Sequence, residues 1–329
     1  MNLFRRLFNP EKEAENAEKA EPPAESRVEI AAPPIVLKVD VPEPVLSVTK
    51  ELGDIFADGA TRPLSEDVLI AFMGNGHLTF GQATDVGLVR SNNQDAAYSF
   101  FSTNRSSDER PDFGLFVVAD GMGGHQDGEK ASALTARTVA SQVLTTIFVP
   151  LMSGDTDNQA PITETLTSAI EKANSEVLKH VPDGGTTVTS AVIIGDLAYI
   201  AHVGDSRLYL LTKDSIEQLT RDHSLVQRLI ELDQLTPTEA AEHPNKNMLY
   251  RALGQSEAVE VDTLTRRLPP KSRLLICSDG LWNVVEDKEI LEIARQTANP
   301  QEACNKLIAL ANTRGGGDNV TVLLLHMPG

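Results

Sequence analysis

The chain is poor in cysteine: Cys277 and Cys304 are the only two among 329 residues, and each sits inside an apolar stretch. Two buried free thiols fit that setting better than a disulfide framework or a zinc site, so a reducing, cytoplasmic compartment is expected. Basic residues are also in deficit, with 29 Lys and Arg against 47 Asp and Glu and a formal net charge of −18. A surface of that sign repels phosphate backbones and anionic lipid, which argues against nucleic acid or a bilayer as the main partner. Long hydrophobic runs are missing as well. No continuous stretch approaches the roughly 18 apolar residues of a membrane span, so no transmembrane segment is expected. Met1 to Phe8 lacks the apolar segment of a secretion signal.

What is present is enough for one large domain or two small ones, with 41% hydrophobic residues to build a core. The texture changes near residue 75. Seven of the eighteen prolines fall in the first fifty positions, mixed with Glu, Ala and Lys, a composition unsuited to a packed core. Residues 1–75 are therefore expected to form a flexible tail. Within it Leu3, Phe4, Leu7 and Phe8 share a helical face beside Arg5 and Arg6; this is either a weak docking surface or an ordinary ragged terminus.

Residues 76–329 have the patterning of a compact domain. Strands are expected at Leu78 to Thr84, Asp95 to Phe101 and Phe113 to Ala119, followed by two helices with one apolar stripe each. The first helix spans about Glu129 to Phe148; the second repeats Ile162, Leu166, Ala169, Ile170, Ala173 and Val177. Gly195-Asp196 marks a two-residue hairpin between strands at Thr186 to Ile194 and Leu197 to Val203. A helix at Ser224 to Asp233 and a capping sequence at Thr236-Pro-Thr-Glu239 make the excursion over about 224–250 look like an inserted lid. A strand at Arg273 to Ser278, helices near Glu286 to Thr297 and Gln301 to Ala311, and a strand at Asn319 to His326 complete the chain. Grouped strands with paired helices indicate α+β layering rather than alternating βαβ units.

The most informative strings are acidic residues in glycine turns. They are Val118-Ala-Asp-Gly-Met-Gly-Gly-His125, His202-Val-Gly-Asp-Ser-Arg207, Cys277-Ser-Asp-Gly-Leu281 and Gly317-Asp-Asn-Val-Thr321. Asp120 ends an apolar run, Asp279 ends another, and Asp318 precedes a third, so antiparallel neighbours are expected to gather three carboxylates at one edge of a sheet. Oxygen-only ligands select hard cations, Mg²⁺ or Mn²⁺, over Zn²⁺. Two such ions can activate a water and stabilise an in-line displacement, as phosphate ester hydrolysis requires. Singly, each string is also an ordinary turn.

Taken in order, the strings resemble the metal-dependent protein serine/threonine phosphatases of type 2C, in their bacterial form. The resemblance begins at Thr84-Asp-Val-Gly-Leu-Val-Arg-Ser-Asn-Asn-Gln-Asp95. It continues through Asp120-Gly-Met-Gly-Gly, Gly185-Thr-Thr187, His202-Val-Gly-Asp-Ser-Arg207, Asp222-His-Ser224, Ser278-Asp-Gly280 and Asp318-Asn-Val-Thr321, covering about 77–329. It implies a central sandwich of two antiparallel sheets flanked by helix pairs, an αββα four-layer α+β fold with a small helical flap. It further implies that Asp120 bridges two metals, that the Gly121 carbonyl serves the first, and that Asp279 and Asp318 serve the second. Asp95 would hold a metal-bound water. Asp205 would join Asp279 at a weaker third metal; its plainer reading is a turn aspartate held by Ser206 and Arg207. Arg90 stands at the phosphate-binding position, where a forked donor suits a phosphoryl group, with a surface ion pair as the alternative.

Thr186, Thr187, Asp222, His223, Ser224 and Asn319 are expected to shape the site. One departure concerns the general acid: Met122 stands where animal members carry a histidine, and His125 is displaced by three positions. The implied activity is one-step hydrolysis of phosphoserine and phosphothreonine in proteins with two Mn²⁺ or Mg²⁺ ions and a third in reserve. The implied partners are phosphorylated proteins, among them a serine/threonine kinase, and the implied state is a cytoplasmic monomer. The rival reading is a catalytically weak or dead relative that binds phosphoproteins, which the loss of a metal carboxylate would favour; none is lost.

Overall fold

The computed structural model describes residues 76–103, 111–123, 127–155 and 159–329, all within the unit Pro63–Gly329. The tail expected over residues 1–75 lies outside the described residues, as does His125.

Two antiparallel sheets lie at the centre. One has the order β1 (Thr79–Asp85), β11 (Val320–His326), β10 (Arg273–Cys277), β7 (Arg207–Leu211), β8 (Ile216–Gln218). The other has the order β2 (Asp95–Ser102), β3 (Phe113–Gly123), β5 (Val188–Ile194), β6 (Leu197–Val203), β9 (Asp262–Arg267), with β4 (Gly184–Thr186) added to β3. The period of two along a strand sorts its side chains to two different cores. On β3, Leu115 and Val117 join a core with helix residues Val139 and Ile170, whereas Phe116 and Val118 pack with Leu274, Ile276 and Leu323 of the facing sheet. Strands buried on both faces read as continuous apolar runs, which is why β3, β10 and β11 are so visible in the sequence.

Helices cover both outer faces. Over the six-stranded sheet lie α1 (Asp127–Val143), which continues through a π-helical turn at Leu144–Phe148 into α2 (Val149–Ser153), and α3 (Ile162–His180). The run Asp127–Ser153 passes a length-and-hydropathy test for a membrane span, which counting uninterrupted apolar residues does not flag. Its buried face, with Ala136, Val139, Ala140 and Val143, belongs to the core under β3. The other face of the sandwich carries α7 (Asp287–Gln296) and α8 (Pro300–Thr313), whose Leu307 and Ala311 pack with Cys277, Val322 and Leu324. The expected αββα layering is therefore the observed one.

The excursion contains α4 (Leu225–Glu231) and α5 (Pro237–Ala241), closed at its base by a bridge between Ser224 and Leu249. Ser224 accepts a hydrogen bond from the Gln227 amide at 3.3 Å, and Thr236 and Glu239 form the full capping box expected from their spacing. A cap of this type is worth about 1 kcal/mol, enough to start a five-residue helix that has little core of its own. The sequence pattern gives no sign of β7, β8 and β9. β9 alternates half-buried Asp262, Leu264 and Arg266 with exposed Thr263, Thr265 and Arg267 at a sheet edge, so it carries no apolar run to announce it.

Candidate active site

Asp120 does not end its strand as expected. β3 runs on to Gly123 and changes partner at this residue, pairing with β5 up to Val118 and with β4 from Gly121. The expected strand over 186–194 is correspondingly broken at Thr187. That break is used: the Asp120 amide donates to Thr187 Oγ1 at 2.9 Å, and the Asp120 carbonyl accepts from the Thr187 amide at 2.8 Å and Thr186 Oγ1 at 2.9 Å. The backbone of Asp120 is thus fixed by two threonines. Across the strand pair, Asp95 is the direct partner of Asp120.

Gly121 is required by crowding. Its amide donates to the Gln94 carbonyl at 3.1 Å, and a Cβ on it would lie 2.2 Å from the Gly128 carbonyl oxygen. Any side chain would push the start of α1 away from the end of β3.

The other two principal aspartates come from the opposite sheet. Asp279 opens the short helix α6 (Asp279–Trp282) immediately after β10, where Asn283 Nδ2 donates to its Oδ2 at 3.1 Å. Asp318 precedes β11 and accepts from Arg90 Nη2 at 2.8 Å and from the Asn319 amide at 2.9 Å. The three carboxylates therefore do not share one edge of one sheet; they meet where the two facing sheets end together. Ser278 joins the halves, donating to Asp95 Oδ2 at 2.7 Å while accepting the Thr321 amide at 2.9 Å. Asn319 does the same for the loops, accepting the Gln94 amide at 2.8 Å and donating to the Val86 and Asn92 carbonyls at 2.9 Å.

Asp205 sits in the turn after β6 and is 6% exposed. Nearby, Arg207 directs its fork to Asp222 at 2.7 Å and stacks its guanidinium 3.6 Å from the Trp282 ring centroid, while its charge favours the ionised form of Asp205. Trp282 Nε1 in turn donates to the Asp205 carbonyl at 3.0 Å. Thr186 and Thr187 bond the Asp120 backbone, Asp222 pairs with Arg207, and Asn319 bonds the loop before Asp95. His223 accepts the Gly204 amide at 3.0 Å, which positions the turn ahead of Asp205. Asn283 and Trp282 are neighbours of the site that sequence reading misses, because asparagine and tryptophan beside a motif carry no spacing signal of their own; Ser278 is quoted within a motif, without the tie it makes.

These carboxylates carry uncompensated charge. Burial, and then the charge of Asp95, hold Asp120 well above the ordinary carboxylate range; burial and then Asp205 do the same to Asp279. Burial pushes Asp95 up to about 6, and burial with the neighbouring Asp222 pushes Asp205 up to about 7. Arg90 is shifted up chiefly by its hydrogen bond to Asp318. Like-charged carboxylates this close disfavour one another's ionised forms, and a bound cation reverses that balance.

Among the described residues, no three His, Cys, Asp or Glu side chains converge into a ready-made metal cage. The donor set nevertheless fits a hard divalent ion. It is all oxygen, Asp205 and Asp279 are buried, and Asp95 Oδ1 is a buried acceptor with no hydrogen-bond partner among the described residues.

A four-layer sandwich with acidic residues of both sheets at one end, and an arginine beside them, has the groups that phosphate ester hydrolysis requires. Comparison with known proteins narrows the class. Residues 89–312 match the protein phosphatase 2C family. The serine/threonine phosphatase stp of Listeria innocua is 38% identical over 244 residues, covering 74% of this chain and 93% of that protein. The protein phosphatase PhpP of Streptococcus pneumoniae is 35% identical over 249 residues, covering 74% and 95%. Among solved structures, the Streptococcus agalactiae serine/threonine phosphatase superposes with a TM-score of 0.68 at 34% identity, covering 76% of this chain and all of that one. The catalytic domain of the phosphatase PstP in complex with two manganese ions gives a TM-score of 0.61 at 34% identity, covering 77% and 99%. The chain belongs to the protein phosphatase 2C family and is a phosphoprotein phosphatase, a hydrolase.

Proposed function

We propose that this chain hydrolyses phosphoserine and phosphothreonine in proteins at the carboxylate cluster, opposing a serine/threonine kinase in the cytoplasm. The observation that carries the reading is the convergence of Asp95, Asp120, Asp205, Asp279 and Asp318, with raised proton affinities at Asp95, Asp120, Asp205 and Asp279, beside Arg90. Asp120 and the Gly121 carbonyl would hold a first Mn²⁺ or Mg²⁺ ion; Asp120, Asp279 and Asp318 would hold a second; and Asp205 with Asp279 would hold a weaker third. Bound there, divalent cations would supply the charge that brings a water's pKa toward neutrality and steadies the entering and leaving oxygens of an in-line displacement.

The chain's own residues do the rest. Arg90 binds the phosphoryl group through a half-exposed guanidinium that Asp318 orients. Ser278 fixes Oδ2 of Asp95, so that Oδ1 is the acceptor turned to the attacking water's hydrogen. Thr186 and Thr187 keep the Asp120 backbone from moving as the reaction proceeds. No side-chain nucleophile is required. The buried thiols of Cys277 and Cys304, which burial holds above the ordinary thiol range, support a reducing compartment. Residues 1–75 would set location rather than turnover, and the domain would act as a monomer. The reading of a binding-only relative finds no support, since each carboxylate is in place.

The test is phosphate release from a phosphothreonine peptide with Mn²⁺ and with excess chelator. Turnover only with metal is expected. Turnover that survives the chelator would overturn the metal chemistry.

A further inference from the structure

Three of four consecutive side chains beside Arg90 are apolar and exposed: Val86 at 37%, Leu88 at 69% and Val89 at 71%. Single exposed aliphatic residues are ordinary on protein surfaces. These three differ because the loop that carries them is firmly held. The Leu88 and Val89 amides donate to the Gly316 carbonyl at 2.8 and 3.2 Å. The Gly87 amide donates to Asp85 Oδ1 at 2.8 Å, and Asn319 Nδ2 holds the Val86 carbonyl at 2.9 Å. Gly87 adopts a φ of 79°, and a Cβ there would meet the Asp318 carbonyl oxygen at 2.3 Å. The backbone is thus pinned to the loop that carries Asp318, yet the side chains project to solvent. A rigid loop that keeps apolar side chains out of the core presents them to something.

The position identifies what. Val89 precedes Arg90, so their Cα atoms are about 3.8 Å apart, and Arg90 is bound to Asp318 at 2.8 Å. A phosphoprotein whose phosphoryl group lies on Arg90 therefore runs its neighbouring residues over Leu88 and Val89. Charge cannot supply the docking energy for such a substrate in general, since the chain carries a net −18 and the phosphorylated residue is an anion. Apolar contact is indifferent to that repulsion.

We propose that Leu88 and Val89 form a specificity rim that favours substrates with a large aliphatic side chain within about three positions of the phosphorylated residue, an extended reach of roughly 10 Å. The proposal rests on the reading that Arg90 receives the phosphoryl group.

It is tested by fluorescence anisotropy with labelled peptides that carry a non-hydrolysable phosphonate analogue of phosphothreonine and differ only in having Leu or Ser beside it, in the presence of Mn²⁺. The intact protein is expected to bind the Leu peptide about tenfold more tightly, equivalent to ~1.4 kcal/mol. In a Leu88→Ser, Val89→Ser double variant the ratio is expected to fall below twofold, and a Leu88→Met, Val89→Ile variant is expected to keep it. Equal affinity for the two peptides in the intact protein, or an unchanged ratio in the serine variant, would overturn the proposal. Turnover of p-nitrophenyl phosphate, which has no neighbouring residues, reads the hydrolytic chemistry separately, so a failed mechanism and a failed rim give different results.

Discussion

The two ends of the sandwich are made from the same strands and differ in how charge is handled. At one end β1 reaches Asp85 opposite Val320, and Asp95, Asp120, Asp205, Asp279 and Asp318 crowd together with raised proton affinities at Asp95, Asp120, Asp205 and Asp279. At the other, β1 begins at Thr79 opposite His326, and the sheets part around a groove of about 500 Å³ lined by Leu78, Phe101, Ile193, Leu268 and Met327. There the acidic Asp112 meets His77 at 2.8 Å. Only the first concentrates like charge that the fold itself does not neutralise, and such clusters persist where chemistry uses them.

The contrast is broken most severely at the centre of the cluster. Asp120→Asn removes the carboxylate there, and kcat is expected to fall on the order of 10²–10³-fold, read by phosphate release from a phosphothreonine peptide. Arg90→Lys keeps the charge but loses the fork, so KM is expected to rise about tenfold with a smaller change in kcat; steady-state kinetics on the same peptide check it.

A third effect concerns pH. His202 is buried beside His223, and burial, then the charge of His223, lower it from 6.5 to about 3. The unfolded chain therefore binds a proton that the fold refuses between those values, so stability is complete above about 6.5 and is lost as pH falls toward 3. His202→Gln should flatten the stability slope by about 1.4 kcal/mol per pH unit in that window, measured by urea unfolding at pH 7 and pH 5. The smallest effect is reserved for the far end: His77→Ala is expected to change phosphopeptide turnover less than twofold. A large loss there would dissolve the distinction between the ends.

Much of this is legible in the sequence because the site lies where apolar strands stop. Asp279 follows β10, Asp318 precedes β11, and both runs are buried on two faces, so their ends are sharp. Asp120 stands out as a candidate but not as a strand position, because no local signal marks a strand that exchanges one partner for another. The expectation that the carboxylates gather on one sheet fails for a related reason: spacing along a chain identifies strand ends and says nothing about which of two facing sheets a strand joins. The ties that hold the site, Ser278 between Asp95 and Thr321 and Asn319 against the loop between β1 and β2, span 183 and 227 residues, so the motifs name these residues but local spacing does not show what they hold.

The measurement that bears most directly on the carboxylate end is calorimetric titration of Mn²⁺ into the metal-free protein, with Asp120→Asn and His77→Ala titrated alongside. The expected result is saturable binding in the intact protein and in His77→Ala, with loss of the tight sites in Asp120→Asn. Equal Mn²⁺ binding by the intact protein and Asp120→Asn, or loss of binding in His77→Ala, would contradict the assignment of the cation site to the end where the carboxylates converge.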